Sequence, residues 1–309
     1  MSRDFYDRLA PFYHLIFEDW DASIARQGGQ LEAIIRGEWG PDVRTVLDAA
    51  AGIGTQALAL AARGFQVTAS DLSPVAVERA GREARQRGLT VGTSVADLRH
   101  LSQSHGRFDV VLACDNALPH LPNDGELLQA LRECWRCTEP GGGCLISVRD
   151  YDVSEGPASE VRPYGVRHAD GKTFVLFQVW QWDRPHYDLA LCIMEDGGEE
   201  ECRTHVFRTR YYAVPVGRLA ELMREAGFDR VRQLDKDQLT AKLGVLGQWE
   251  LRDGHYVPVE PTANMSPSRG VRIKDGVVQM GLTREEVSGV ARQVKRLLNQ
   301  IDRGRVKVY

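Results

Sequence analysis

Apolar and polar positions along this chain follow two different periods, and the change falls near residue 150. Between residues 43 and 150, short apolar runs alternate with longer segments whose apolar positions recur three and four apart. The runs RTVLDAA, FQVTASD, TVGTSVAD, FDVVLACD and GGCLISVRD read as five strands, short and continuous as strands buried on both faces are. TQALALAARG, SPVAVERAGREARQRG and GELLQALRECWRC read as helices, the first stopped by Gly64 and the second opened by Ser73-Pro74. Strand and helix in alternation predict an α/β fold, a parallel sheet with right-handed crossovers and helices on both faces.

Beyond Asp150 the period drops to two. KTFVLFQVWQW, YDLALCIMED and ECRTHVFRTRYYAV are strand-like, and DRPH and DGGEE between them are turn signals. This predicts an antiparallel meander over about 151–214. VGRLAELMREAGF then reads as an amphipathic helix ended by Gly227. At the other end, residues 5–36 look helical, with Tyr6, Leu9, Tyr13, Phe17 and Trp20 at roughly helical spacing and Pro11 as an interruption.

The final stretch has a different character. VEPTANMSPSRG is polar and loop-like, and LTREEVSGVARQVKRLLNQID carries a capping box, Thr283 with Glu286. Val287, Val290, Val294, Leu297 and Ile301 form an apolar stripe, expected to dock on the chain itself or against a second subunit of a homo-oligomer. The resulting organisation is an N-terminal helical cap (1–36), an α/β domain with its meander (37–235) and a C-terminal extension with a terminal amphipathic helix (236–309). No internal repeat is visible.

Composition narrows the class without naming a function. The chain has 309 residues, 43% hydrophobic and 27% charged, as soluble globular proteins do. A net charge of −4 gives no bulk reason to expect a nucleic-acid partner, and no run is long enough to span a bilayer. A cytoplasmic location is therefore expected, with no membrane partner. Six cysteines in a chain of this length do not make a disulfide framework. Cys134-x-x-Cys137 is the one close pair; it has no second pair to complete a metal site and reads as two helix-face thiols. No metal is expected.

The candidate chemistry lies in VRTVLDAAAGIGTQALALAARGFQVTASDLS, residues 43–73. Gly52-x-Gly54-x-x-Ala57, followed by Asp71 at the end of the next strand, satisfies a dinucleotide fingerprint. It equally suits the loop that holds S-adenosylmethionine. Two acids favour the second ligand. Asp48, four residues before Gly52, would repel a pyrophosphate and can receive an ammonium. Asp97 follows the third strand, where it can reach an adenine amine.

Four stretches together carry a resemblance. VLDAAAGIGT, CDNALPHL, PGGGCLISVRDYD and FRTRYYAVPVGRLAELMREAGF resemble motifs of the class I S-adenosylmethionine-dependent methyltransferases, and of the glycine/sarcosine N-methyltransferase group among them. The resemblance runs from residue 5 to about 235. It implies a Rossmann-like sheet of seven strands with one reversed, S-adenosyl-L-methionine as cofactor, and transfer of a methyl group to the amine of a small, carboxylate-bearing acceptor. Two alternatives stay open: transfer to oxygen or carbon of a larger natural product, and a cofactor-binding scaffold acting through its C-terminal helix.

For the cofactor, the loop from Ala50 through Gly52 to Gly54 is expected against the methionine part, with Asp48 nearby. Asp71, with Leu72, is expected at the ribose, Asp97 and Leu98 at the adenine, and Cys114 through its backbone. The resemblance adds Tyr13, Trp20 and Arg26, the last near the cofactor carboxylate. For the acceptor, Arg149 stands at a strand end where its guanidinium can grip a carboxylate or, instead, pair with Asp150 or Asp152. Asn116 can hold the acceptor amine or carboxylate, and Tyr151 can line the pocket. Alternation sends Tyr211 and Tyr212 to opposite faces, so only one faces the ligand, and Tyr212 is assigned that place. His120 has the pKa range to take the amine's proton, or is a loop histidine satisfied by backbone.

Overall fold

A computed structural model describes residues 2–149, 151, 158–198, 202–234 and four short strands between 249 and 279. The first unit, residues 1–243, holds two sheets. In the parallel sheet, β1 (Thr45–Asp48), β2 (Gln66–Asp71), β3 (Val91–Val95), β4 (Phe108–Ala113) and β5 (Thr138–Ile146) take the order β3-β2-β1-β4-β5. Every pairing is parallel, as the strand–helix alternation requires.

Burial explains why β1 is apolar without alternation. Val46 and Leu47 are both fully buried but on opposite faces. Val46 joins Val110 and Leu112 against α2 (Trp20–Trp39) and α3 (Thr55–Ala61), through Ile35 and Leu60. Leu47 joins Val111 against the face carrying Cys134 and Cys137. Cys134 lies in α5 (Asp124–Arg136) and Cys137 caps it; both are wholly buried free thiols. Burial pushes the Cys137 thiol up to about 11, away from the thiolate that metal binding or redox chemistry needs. The pair is core packing.

α4 (Pro74–Gln86) begins where Ser73 accepts a hydrogen bond from the Ala76 amide, 3.1 Å. α6 (Val216–Ala226) ends at Gly227 in the left-handed conformation. The N-terminal segment is not one helix: after α1 (Ser2–Leu9), Pro11 breaks the run, a single 3-10 turn follows at Tyr13–Ile16, and α2 starts afresh on Asp19 as its cap.

The second sheet is antiparallel, β6 (Ser159–Ala169), β7 (Lys172–Asp183), β8 (His186–Asp196) and β9 (Arg203–Tyr212), in that order. β6 extends the predicted meander by one strand. Its period is broken by Pro163 and Gly165, where the register with β7 shifts. A seven-stranded sheet with one reversed strand does not form among the described residues. β9 spends its ladder on β8 from Arg203 to Tyr212, and β5 is the last strand of the parallel sheet.

α1 joins the two sheets. Phe5 and Leu9 pack into the aromatic face of the antiparallel sheet, among Trp180, Tyr187, Phe207 and Tyr211. Asp7 accepts a hydrogen bond from the Ser73 hydroxyl at 2.5 Å, and Ala10 accepts one from Arg79 of α4. This docking walls the carboxyl ends of the parallel strands.

The second unit, residues 244–309, is described at two antiparallel pairs: Trp249–Arg252 with His255–Pro258, and Arg272–Lys274 with Val277–Gln279. The expected terminal helix lies outside the described residues. No described helix is long and apolar enough to cross a membrane, and no described cluster of His, Cys, Asp or Glu could hold a metal ion.

Candidate active site

A cavity of about 290 Å³ opens where β1, β2, β3 and β4 end, the edge at which parallel sheets of this type bind ligands. Ala49, Ala50, Ala51 and Gly52 line it with small side chains. Gly52 has φ +53, and a Cβ built there would meet nothing within 4 Å. The left-handed turn thus needs glycine and leaves its face open. Gly54 does not line the cavity; it caps α3 with φ +95, and a Cβ on it would come within 3.0 Å of Ala80. Its task is to let α3 and α4 approach.

The Asp71 carboxylate accepts from the Gly52 amide (2.8 Å) and the Ser73 amide (2.9 Å). It therefore holds the turn in place while lining the cavity with Leu72. Burial raises its pKa, and the two amides hold the rise back. Asp48 is 1% exposed, and neither carboxylate oxygen has a hydrogen-bond partner among the described residues. Burial, with Asp71 as a like charge, pushes its pKa up to about 7. The amides of Ala50 and Ala57 oppose that rise without reaching hydrogen-bond geometry.

At the far end Asp97, Leu98, Arg99 and Glu126 line the cavity. Arg99 holds both oxygens of Asp97, with its Nε 2.9 Å from Oδ1, and its Nη1 reaches Glu126 Oε2 at 2.5 Å. The Arg99 hydrogen bonds keep the Asp97 carboxyl below the usual carboxylate range. Asp97 is thus at the expected place but engaged by a guanidinium two residues on. Cys114 lines the cavity at the end of β4, its thiol pushed up to about 12 by burial.

A second cavity of about 140 Å³ adjoins the first and is lined by Asp115, Asn116, Arg149, Tyr164, Gln178 and Tyr211, with apolar side chains of α1 and the 3-10 turn. Tyr6, Tyr13 and Asp115 line both cavities. The Arg149 guanidinium sits 4.9 Å from the Trp180 ring centroid and donates to the Tyr187 hydroxyl at 3.2 Å. No described carboxylate pairs with it; Asp150 and Asp152 lie outside the described residues. Asn116 is held by its Oδ1, which accepts from the Arg149 amide (3.1 Å) and the Tyr151 hydroxyl (2.9 Å). Its Nδ2 is buried with no partner. A buried amide donor beside an arginine, in a cavity, is an arrangement that an anionic ligand group completes.

Several predicted residues stand elsewhere. Trp20 lines neither cavity; its indole donates to Thr55 Oγ1 (2.9 Å) and lies under Arg79 and Arg87. Arg26 is exposed on α2, with Ser23 as its partner. Tyr212 faces α5 and donates to Asp124 Oδ1 (2.8 Å), so Tyr211 is the tyrosine of the pair that lines a cavity. Tyr151 lines neither cavity and acts on Asn116 from behind. His120 lines the larger cavity, but both ring nitrogens are engaged, Nε2 with Tyr6 (2.7 Å) and Nδ1 with Thr209 (3.3 Å). Burial, helped by Arg149, lowers its pKa to about 3, so the ring is neutral and a poor base.

The sequence reading also passed over residues that line the cavities: Tyr6 as a wall residue, Asp115, Gln178 and the Arg99–Glu126 pair. Gln178 had a signal. It sits between Leu176 and Trp180 on the inward face of β7, one polar residue in a buried apolar row.

Known proteins share the sequence pattern and the fold. The family described as "Methyltransferase domain" matches residues 46–142. A glycine/sarcosine N-methyltransferase from Parasynechococcus marenigrum is 30% identical over 219 residues, covering 69% of this chain and 72% of that protein. One from Halorhodospira halochloris is 30% identical over 135 residues, 43% of this chain and 49% of that protein. Among solved structures, an S-adenosylmethionine-dependent methyltransferase from Clostridium acetobutylicum shares the fold with a TM-score of 0.57 at 15% identity, covering 70% of this chain and 86% of that one. An amino pentose methyltransferase from Micromonospora echinaspora, solved with S-adenosylmethionine bound, gives 0.58 at 18%, over 66% and 83%. The chain belongs to the class I S-adenosylmethionine-dependent methyltransferases. Within them it is similar to the glycine/sarcosine N-methyltransferases.

The larger cavity suits that cofactor. Asp71, Asp97 and Glu126 line it against one arginine, which is itself paired. Such walls favour a sulfonium and an ammonium and disfavour a pyrophosphate. Asp48, expected near the methionine part, lines neither cavity; it lies buried just before the alanine floor.

Proposed function

We propose that this enzyme methylates the amine of a small acceptor that also carries a carboxylate, of the glycine or sarcosine kind. The carrying observation is Arg149 together with the partnerless Asn116 Nδ2, both lining the smaller cavity. A guanidinium and an amide donor there fit a carboxylate, and about 140 Å³ suits a small ligand better than a polyketide or phenolic scaffold. The similar proteins named above are glycine/sarcosine N-methyltransferases, which supports the same reading.

When bound, S-adenosylmethionine supplies an electrophilic methyl group. The loop at Ala50–Gly52, Asp71 and Leu72, Asp97 and Leu98, and Cys114 would hold it, with Tyr13 at the passage to the acceptor. The task of the remaining side chains is positioning. Arg149 and Asn116 fix the carboxylate, Tyr151 fixes Asn116, and Tyr211 with Gln178 completes the wall. His120 serves as a neutral spacer linking Tyr6 to Thr209, and the acceptor's ammonium passes a proton to water before its neutral nitrogen attacks the methyl group.

A transfer assay with glycine, sarcosine and dimethylglycine beside a panel of phenols tests the reading. Methylation of at least one of the amines, and none of the phenols, is expected. Turnover of phenols alone would overturn it.

A further inference from the structure

The residues common to the two cavities separate where the methyl group starts from where it ends. Two of them, Tyr6 and Tyr13, are phenols whose pKa burial pushes well above the ordinary value, so they are neutral. The third, Asp115, brings the one carboxylate to the junction.

Its placement is costly. Asp115 has φ +58 and Asn116 φ +64, two successive non-glycine residues in the left-handed region. Ser147 holds the pair there: its hydroxyl accepts from the Asp115 amide (2.8 Å) and its carbonyl from the Asn116 amide (3.0 Å). The consequence is that Asp115 lines both cavities and Asn116 the smaller one. Among the described residues the Asp115 carboxylate accepts one hydrogen bond, a long one from Gln56 Nε2 at 3.3 Å, and that amide also serves Gln27 at 2.8 Å. No described cation pairs with Asp115. Arg149, by contrast, lines only the smaller cavity.

The smaller cavity therefore carries a negative group at its junction with the cofactor cleft and a positive group away from it. We propose that Asp115 receives the acceptor's amine, so that the acceptor binds as a zwitterion between Asp115 and Arg149, nitrogen toward the cofactor. This rests on the smaller cavity being the acceptor site. It adds a recognition rule: acceptors need both an amine and a carboxylate, and a simple amine or a simple acid gains only half of the charge pairing.

The test is calorimetric titration of the full-length protein, saturated with S-adenosylhomocysteine, against glycine, sarcosine and acetate. Asp115→Asn keeps the side-chain shape, and asparagine tolerates the left-handed backbone. A melting curve on the variant checks its fold. Expected are glycine and sarcosine binding weakened tenfold or more, acetate binding changed less than twofold, and S-adenosylhomocysteine affinity changed less than twofold. Equal weakening of S-adenosylhomocysteine would make Asp115 a cofactor residue and overturn the proposal, as would no change in any ligand. Arg149→Lys separates the two readings, because it should weaken glycine and acetate alike. If it weakens neither while Asp115→Asn remains selective for the amines, the carboxylate reading fails and the Asp115 assignment stands. If the wild-type protein binds none of the three probes, both fall.

Discussion

The Tyr151 hydroxyl donates to Asn116 Oδ1 at 2.9 Å, and this bond settles which end of the Asn116 amide faces the smaller cavity. With Oδ1 occupied by Tyr151 and by the Arg149 amide, Nδ2 is the end left for a ligand. Tyr151 also shares a hydrogen bond with Tyr187, which in turn accepts from Arg149. One buried phenol thus ties Asn116 to Arg149 by way of Tyr187.

Tyr151→Phe keeps the ring and removes that tie. The loss should cost stability by about 0.5–1.5 kcal/mol, the net worth of an ordinary hydrogen bond. KM for the acceptor should rise while cofactor affinity holds. Thermal unfolding and calorimetry on the same preparation check both.

Asp71→Ala strips the Gly52 and Ser73 amides of their acceptor and frees the turn that lines the cofactor cleft. S-adenosylmethionine binding should weaken by roughly 1.5–3 kcal/mol, the range for hydrogen bonds to a charged group. Titration calorimetry reads it directly. Unchanged affinity would remove Asp71 from the cofactor site.

Asp48 predicts a pH dependence of the free protein. Its carboxyl is raised from 3.8 to about 7, so between those values the folded state holds a proton that the unfolded state has lost. Stability from this group falls as pH climbs through that window and is flat above it. Asp71, raised as well, acts in the same direction. Asp48→Asn removes the penalty: its melting temperature should exceed that of the wild type at pH 8, and the gap should close toward pH 5.

His120 has the opposite sign. Its pKa is lowered from 6.5 to about 3, so the unfolded state takes up a proton first and stability from this group is lost as pH falls through that range. For catalysis the consequence is that His120→Gln, which still offers Tyr6 a partner, should reduce kcat by less than about tenfold. A general base is worth ~10²–10⁴-fold. A loss on that scale, with a pH–rate inflection that vanishes in the variant, would contradict a non-basic role.

Much of the larger cavity's lining was legible because it is local. β1, the Gly52 turn, β2 and Asp71 lie within about thirty residues, a length over which strand period and turn chemistry act together. Asp97 shows the limit: its position follows from β3, but its occupation by Arg99 depends on rotamers that no period reports. The smaller cavity joins distant segments. Tyr6 reaches His120 only because α1 docks on a sheet assembled more than 150 residues later. Tyr211 was readable after all. In HVFRTRYYAV, Arg208 and Arg210 mark the outward face of β9, and Phe207, Thr209 and Tyr211 the buried one. Tyr212 therefore falls on the arginine side. The resemblance to a seven-stranded sheet misled because it leaves open the partner that β9 chooses, and β8 offers a complete antiparallel ladder.

The account stands most directly on Arg149 as the grip on the acceptor's carboxylate. Arg149→Lys keeps the charge and loses the planar fork. The decisive measurement is transfer of an isotopically labelled methyl group to glycine and sarcosine, wild type beside Arg149→Lys, with S-adenosylmethionine affinity taken on both. The account predicts label on the amine, kcat/KM for the amino acid lower by tenfold or more in the variant, and cofactor affinity within about twofold, because the fork is an acceptor contact worth on the order of 1.5–3 kcal/mol. Equal loss of cofactor affinity, or undiminished transfer by the variant, would contradict it.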